Sequence, residues 1–131
     1  MYDVLVGGSG RLVTVIGTGA GLTLGNPFSK EIYLTSFHVA GTRYSENIEQ
    51  YSGALKKDSQ VSLLREQSNE YDEYAILIKD TQGNKLGYMP KKMNHIPARL
   101  MDAGKLIYCK VIEVAKNEYG IDIHLEMYMK D

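Results

Sequence analysis

Two short stretches hold most of the side chains in this sequence that could do chemistry. They are Val39–Tyr44 (VAGTRY) and Arg65–Asp72 (REQSNEYD), and each lies between runs typical of strands. Together they offer aromatic faces, a cation, an amide and a carboxylate. This combination suits binding of the end of a single nucleic-acid strand, because aromatic rings stack on bases of any sequence. It does not suit a metal site or an acyl-transfer reaction.

The composition argues against several classes of protein. The chain has 131 residues, 44% hydrophobic and 24% charged, as expected of one globular domain with its own core. A net charge of -1 argues against coating of long duplexes, which depends on phosphate neutralisation. The single cysteine, Cys109, allows no disulfide framework. Because the sequence has neither a membrane-length apolar run nor a secretion signal, we expect a cytoplasmic protein away from membranes.

Residue types that bind metals or catalyse reactions do not form a recognisable set. His38, His95 and His124 are scattered without ligand spacing. There is no Ser/His/Asp or Cys/His constellation and no pair of carboxylates in distinct environments. The glycine cluster at 17–21 is followed by Leu22, where a dinucleotide-binding fingerprint needs its third glycine, and by a poor helix start. We therefore predict no metal site, no cofactor and no enzymatic activity.

The hydrophobic pattern predicts six strands and two short helices. Runs rich in β-branched and aromatic residues predict strands at 31–39, 60–65, 74–79, 85–89, 106–115 and 121–128. A capping box that starts at Asn47 predicts a helix over 48–55. A second helix is predicted over 94–103, capped by Asn94 and ended by Gly104.

These elements predict a mainly β fold with two short helices. Hairpin-like connections dominate, so we expect a small, partly open β-barrel of the OB-like or SH3-like kind. Residues 31–131 would form this barrel. Residues 1–30 are rich in glycine and would form an N-terminal extension that could add strands.

Several segments, in the same order along the chain, resemble the HIRAN family. They are Val39–Tyr44, Leu63–Glu66, Asn69–Asp72, Ala75–Ile76, Leu86–Pro90 and Leu100–Gly104. The similarity spans residues 31–115 and implies a β-barrel related to OB-folds. Eukaryotic members stand at the front of SWI/SNF-type ATPases and capture the 3′ hydroxyl end of single-stranded DNA. This sequence resembles the stand-alone bacterial kind, which implies a role in DNA repair or replication-fork processing beside a helicase or nuclease.

The resemblance also implies which residues contact the strand. Arg43 and Tyr44 match a pair that holds the backbone and stacks on a base, and Tyr71 matches a second stacking tyrosine. Lys91 lies near a lysine that contacts a phosphate. The chemistry agrees, since stacking is worth ~1–3 kcal/mol per base and Arg43 can pair bidentately with phosphate.

The resemblance implies that polar residues contact the 3′ end of the bound DNA strand. Asn69 and Asp72 match polar residues of the family, with the aspartate facing the terminal hydroxyl. An ionised carboxylate only accepts hydrogen bonds, so Asp72 could take one from a hydroxyl and would repel a 3′ phosphate. Glu70 replaces a proline usual in the family. Tyr88, which the resemblance also implies as a contact, stands where eukaryotic members can have histidine.

Two structural interpretations remain open beside the DNA-binding one. Asp72 could cap the turn that follows it, which is compatible with binding, and Arg65 with Glu66 is interpreted as a structural ion pair. The alternative function is a protein- or peptide-interaction module, because small barrels also bind peptides in tyrosine-lined grooves. For either function we expect a monomer or a weak oligomer.

Overall fold

The computed structural model describes residues 30–130, which form six strands and two α-helices. The strands are β1 (Glu31–His38), β2 (Gln60–Arg65), β3 (Ile76–Lys79), β4 (Lys85–Tyr88), β5 (Leu106–Asn117) and β6 (Gly120–Lys130). The helices are α1 (Ile48–Gly53) and α2 (His95–Asp102), and a 3-10 turn covers Thr42–Tyr44. The predicted extension at residues 1–30 lies outside the described residues except for its last one.

The six strands form one sheet in the order β1-β6-β5-β2-β3-β4. The pairs β2–β3, β2–β5, β3–β4 and β5–β6 are antiparallel. The long β5–β6 hairpin closes more tightly than predicted, because Asn117 already pairs with Gly120 and leaves a two-residue turn. The sheet curls into a half-barrel, which confirms the predicted mainly β, OB-like class.

The two outer strands of the sheet meet at one β-bridge. Ala40, just after β1, pairs with Tyr88 of β4 through two backbone hydrogen bonds of 2.8 and 2.9 Å. Gly87 makes this approach possible, since a Cβ atom there would lie 2.4 Å from the carbonyl oxygen of Ala40. A glycine at this position therefore allows the half-barrel to close beside the first chemically interesting loop.

Side chains from several strands of the sheet form the hydrophobic core. Its fully buried members include Ile76, Ile78, Leu86, Ile123 and Leu125. The alternation in β6 is confirmed, because Ile123, Leu125 and Met127 point inward at every second position. Cys109 is also buried in this core, and its desolvation raises the pKa of the thiol to about 12. This cysteine therefore serves as a small hydrophobic residue.

Both helices lie where they were predicted, but their N-terminal caps differ from the prediction. Asn47 adopts a left-handed conformation (φ 58°), and its side chain makes no capping hydrogen bond, so the capping box was wrong. Asn94 does not cap α2 either. The predicted C-terminal end of α2 at Gly104 (φ +89°) is confirmed. The backbone N–H of Gly104 donates to the carbonyl of Met101 and that of Lys105 to the carbonyl of Leu100, as in a Schellman motif.

None of the helices within residues 30–130 has the length and apolar character needed to cross a membrane.

Candidate nucleic-acid interface

Asn69 organises the second loop from within. Its Oδ1 accepts hydrogen bonds from the backbone N–H groups of Tyr71 (2.8 Å) and Asp72 (3.0 Å). Its Nδ2 donates to Oε1 of Glu66 at 3.1 Å. This is the Asx-type bonding that asparagine provides in turns. Asn69 was predicted to contact a ligand, and the structure shows that its side chain already holds the loop.

The backbone of Tyr71 is therefore fixed while its ring is left in solvent. The side chain of Tyr71 is 81% exposed, although tyrosine is a residue that folding usually covers in part. Holding the backbone reduces the conformational freedom that the residue would lose on binding. An exposed aromatic face on an ordered loop is well suited to stack against a flat ligand.

The carboxylate of Asp72 is held at both of its oxygens. Oδ1 accepts from the backbone N–H of Tyr74 (2.9 Å), and Oδ2 accepts from Nδ2 of Asn94 (2.8 Å). Desolvation acts to raise the pKa of Asp72, but these bonds and the charges of Lys91 and Arg65 outweigh it and lower the pKa. The predicted capping role is thus present, and the half-buried carboxylate is ionised at neutral pH.

Tyr88 lies behind the second loop. Its hydroxyl donates to Oε1 of Glu66 at 2.9 Å, and Nζ of Lys85 lies 5.0 Å from its ring centroid. Desolvation and the adjacent Glu66 raise the pKa of Tyr88, so its phenol stays protonated and can donate. The half-buried side chain of Tyr88 thus supports the loop, and its predicted contact with a bound strand stays a prediction.

The first loop presents a second exposed tyrosine. Gly41 turns the chain with φ 72°, and the hydroxyl of Thr42 donates to the carbonyl of Ile121 at 2.7 Å. Tyr44 is 73% exposed, and Cζ of Arg43 lies 5.1 Å from its ring centroid. The guanidinium and the ring thus form a cation–π pair, which places a positive charge beside an aromatic face.

A continuous set of bonds connects the two loops. Ala40 of the first loop is bridged to Tyr88, the Tyr88 hydroxyl bonds to Glu66, and Glu66 bonds to Asn69. Asn69 then holds the backbone of Asp72. Beside residues 65–69 lies an open groove with a volume of about 650 Å³. The fold therefore ties Arg43 and Tyr44 to the same structural unit as Tyr71, Asp72 and the groove.

Arg65 forms a different ion pair from the one predicted. Its Nε and Nη2 bond to the two carboxylate oxygens of Asp102 at 2.9 and 3.0 Å. It also donates to the carbonyls of Glu73 and Ala75. The prediction of an Arg65–Glu66 pair was wrong, because Arg65 pairs with Asp102 while Glu66 accepts from Asn69 and Tyr88. Arg65 instead fastens α2 to the base of the second loop.

Histidines that are distant in sequence meet in the structure. His38 stacks on His124 with ring centroids 4.2 Å apart, and Nδ1 of His38 lies 2.8 Å from Oδ1 of Asp122. His95 stacks on Tyr74. Within residues 30–130 there is no cluster of three or more His, Cys, Asp or Glu side chains arranged to hold a metal ion.

Comparison with known proteins identifies the family. The HIRAN domain family matches residues 32–130, which is most of the chain. This chain belongs to the HIRAN family. Its curated relatives include the helicase-like transcription factors of Oryctolagus cuniculus (37% identical over 65 residues, 50% of this chain) and Homo sapiens (29% over 96 residues, 72% of this chain). The chain spans only 6% and 9% of the length of these two relatives.

Solved structures resemble this HIRAN domain in fold. A crystal structure of a Lactobacillus plantarum protein has a TM-score of 0.72 and 29% identity, with 79% of this chain and 98% of that one covered. The HIRAN domain of human HLTF has a TM-score of 0.60 and 26% identity, with 76% and 78% covered. An NMR structure of the HLTF HIRAN domain in its DNA-bound conformation has a TM-score of 0.50, 26% identity and 75% and 78% covered.

Two residues that organise the interface of this HIRAN domain were missed in the sequence. Glu66 accepts from both Asn69 and Tyr88, and Asn94 holds Asp72 while being 2% exposed. The spacing of Glu66 and Asn69, three residues apart, is compatible with a local bond. No local pattern predicts the contact between Asn94 and Asp72, which are 22 residues apart, and Asn94 was predicted only as the cap of α2.

Proposed function

We propose that this HIRAN domain binds single-stranded DNA at free 3′ hydroxyl ends. The observation that carries the proposal is the ionised, doubly held carboxylate of Asp72 next to the exposed ring of Tyr71. An ionised carboxylate accepts a hydrogen bond from a hydroxyl and repels a phosphate dianion. Such a group weakens general phosphate binding, so its place in the interface favours recognition of an unphosphorylated end.

Affinity for the strand would come from stacking and from a few phosphate contacts. Tyr44 and Tyr71 offer exposed faces, and stacking contributes ~1–3 kcal/mol per base without reading sequence. Arg43 and Lys91 are exposed cations, one beside the first tyrosine and the other close enough to Asp72 to lower its pKa. With so few cations, the domain would bind a short length of strand and would not coat long DNA.

The family supports the same ligand. An NMR structure of the HLTF HIRAN domain is in a DNA-bound conformation, and the curated relatives are helicase-like transcription factors. By analogy, this domain would deliver a DNA end to a helicase or nuclease in repair or fork processing. On this proposal the domain supplies binding, and any catalysis belongs to the partner.

Fluorescence anisotropy with matched oligonucleotides tests the proposal. Strands that differ only in a 3′ hydroxyl or a 3′ phosphate are titrated with the full chain. We expect the hydroxyl end to bind at least tenfold more tightly, since the phosphate loses a charge-assisted bond and meets repulsion. Equal affinities would reject end recognition. If the chain binds neither strand but binds peptides on a peptide array, the protein-interaction alternative is favoured.

A further inference from the structure

The carboxylate of Asp72 can accept more hydrogen bonds than one terminal hydroxyl donates. An ionised carboxylate has about four acceptor positions on its two oxygens. The structure uses one position on Oδ1, for Tyr74, and one on Oδ2, for Asn94. Each oxygen therefore keeps capacity for a further donor. A 2′-deoxy end brings a single hydroxyl on its terminal sugar and would use the capacity of only one oxygen.

The orientation of this carboxylate is fixed by two parts of the chain. Tyr74 belongs to the same loop, whereas Asn94 precedes α2 and is 2% exposed. A side chain that is fixed before binding loses little conformational entropy on binding. Paired acceptors on a fixed acidic side chain are suited to ribose, whose 2′ hydroxyl is bound by an aspartate or glutamate in many nucleotide sites.

The amide of Asn69 is already occupied and does not compete for the sugar. Oδ1 of Asn69 already accepts two backbone N–H groups, and its Nδ2 donates to Glu66. The groove over residues 65–69 of the same loop is open and lined with polar side chains. Asp72, unlike Asn69, keeps acceptor capacity on both of its oxygens for hydroxyls of the terminal sugar.

We propose that Asp72 takes the 2′,3′ cis-diol of a terminal ribose, one hydroxyl on each oxygen. This HIRAN domain would then prefer a strand that ends in a ribonucleotide over the same strand ending in a deoxynucleotide. The inference rests on the proposed binding of 3′ ends at Asp72. The 2′ hydroxyl is the group by which proteins distinguish RNA from DNA, so the subsite selects the sugar of the last residue alone.

Four DNA oligonucleotides of one sequence test the inference in anisotropy titrations with the full chain. Their last residue carries a deoxyribose, a ribose, a 2′-fluoro sugar or a 3′ phosphate. We expect the ribose end to bind roughly fivefold more tightly than the deoxyribose end, from one added charge-assisted hydrogen bond. The 2′-fluoro end has no 2′ donor and should match the deoxyribose end. Equal or weaker binding of the ribose end overturns the inference.

The outcomes separate this inference from the proposed function. If the ribose and deoxyribose ends bind equally and both bind more tightly than the phosphate end, only the inference fails. If all four bind equally, both fail. The Asp72→Asn variant should lose the preference for ribose, whereas Tyr71→Ala should weaken every strand and keep the preference. A ribose preference that survives in Asp72→Asn overturns the assignment to this carboxylate.

Discussion

The Tyr88 hydroxyl lies 2.9 Å from Oε1 of Glu66, and this bond joins the closing strand of the half-barrel to the loop that carries Tyr71 and Asp72. The same Glu66 oxygen accepts from Asn69. One carboxylate oxygen therefore serves two donors, and its removal leaves both without their acceptor.

Glu66→Ala should destabilise the domain and weaken DNA binding together. We expect a loss of about 1–3 kcal/mol in the free energy of unfolding, because two partly buried donors lose their acceptor. Urea denaturation measures this loss, and anisotropy measures the binding. Tyr88→Phe is the matched control, since it removes one donor and leaves Asn69 paired; it should cost less. A Glu66→Ala variant with unchanged stability would contradict the proposed role.

Gly87→Ala should strain the closure of the half-barrel. The new Cβ would lie 2.4 Å from the Ala40 carbonyl oxygen and 2.6 Å from a methyl carbon of Val39. We expect a destabilisation of roughly 1–3 kcal/mol, as for other overpacked sites. Gly53→Ala is the control, because a Cβ there has no neighbour within 4 Å. Thermal denaturation of both variants checks the prediction, which fails if the two melt alike.

Arg43→Ala combined with Lys91→Ala should lower DNA affinity and reduce its dependence on salt. Each phosphate contact contributes a slope of about −0.7 to log K against log salt for single strands. Loss of two contacts should therefore flatten the slope by roughly 1.4, as titrations from low to high salt would show. Lys57→Ala combined with Lys105→Ala removes two exposed cations outside the interface and should leave the slope unchanged.

The stability contributed by Asp72 should depend on pH in one direction. Its pKa in the folded protein is below the ordinary 3.8, so folding favours the ionised form. This contribution is complete above that value and is lost as the pH falls through the lower folded pKa. The stability difference between wild type and Asp72→Asn should be constant from pH 7 to 5 and shrink below 3.8. A difference that grows on acidification would contradict the assignment.

Glu70→Gln should strengthen DNA binding modestly. Glu70 is exposed next to Tyr71, and on the proposed function its charge would repel phosphates of a bound strand. Solvent screens exposed charges, so the gain should be about two- to threefold and should vanish at high salt. Glu118→Gln removes an exposed charge at the β5–β6 turn and serves as the control. Weaker binding by Glu70→Gln would show that the carboxylate assists the ligand.

The sequence predicted the parts of the fold that local patterns determine. The alternation in β6 and the left-handed position of Gly104 each depend on a few adjacent residues, and both were predicted correctly. The roles of Asn94 and Arg65 depend on partners 22 and 37 residues away, so local pattern could not reveal them. At Asn47 the local pattern predicted the start of α1 correctly, but the side-chain cap that it also predicted does not form.

The sequence predicted the chemical character of the side chains in the candidate interface, but not their partners within the fold. Tyr44 and Tyr71 are exposed, as stacking requires, and Asp72 is ionised. Asn69 and Tyr88 have the polar character predicted for contacts, but internal hydrogen bonds occupy them. Sequence shows which groups a side chain can donate or accept, whereas only the fold determines which of those groups remain available.

The bridge between Ala40 and Tyr88 is a long-range contact that holds the two loops together. Its two residues are distant in sequence, so the chain must close a large loop before these hydrogen bonds form. Opening of this bridge would release the first loop from the second and leave the candidate interface incomplete. Hydrogen exchange at the backbone amides of Ala40 and Tyr88 would report how often this bridge opens.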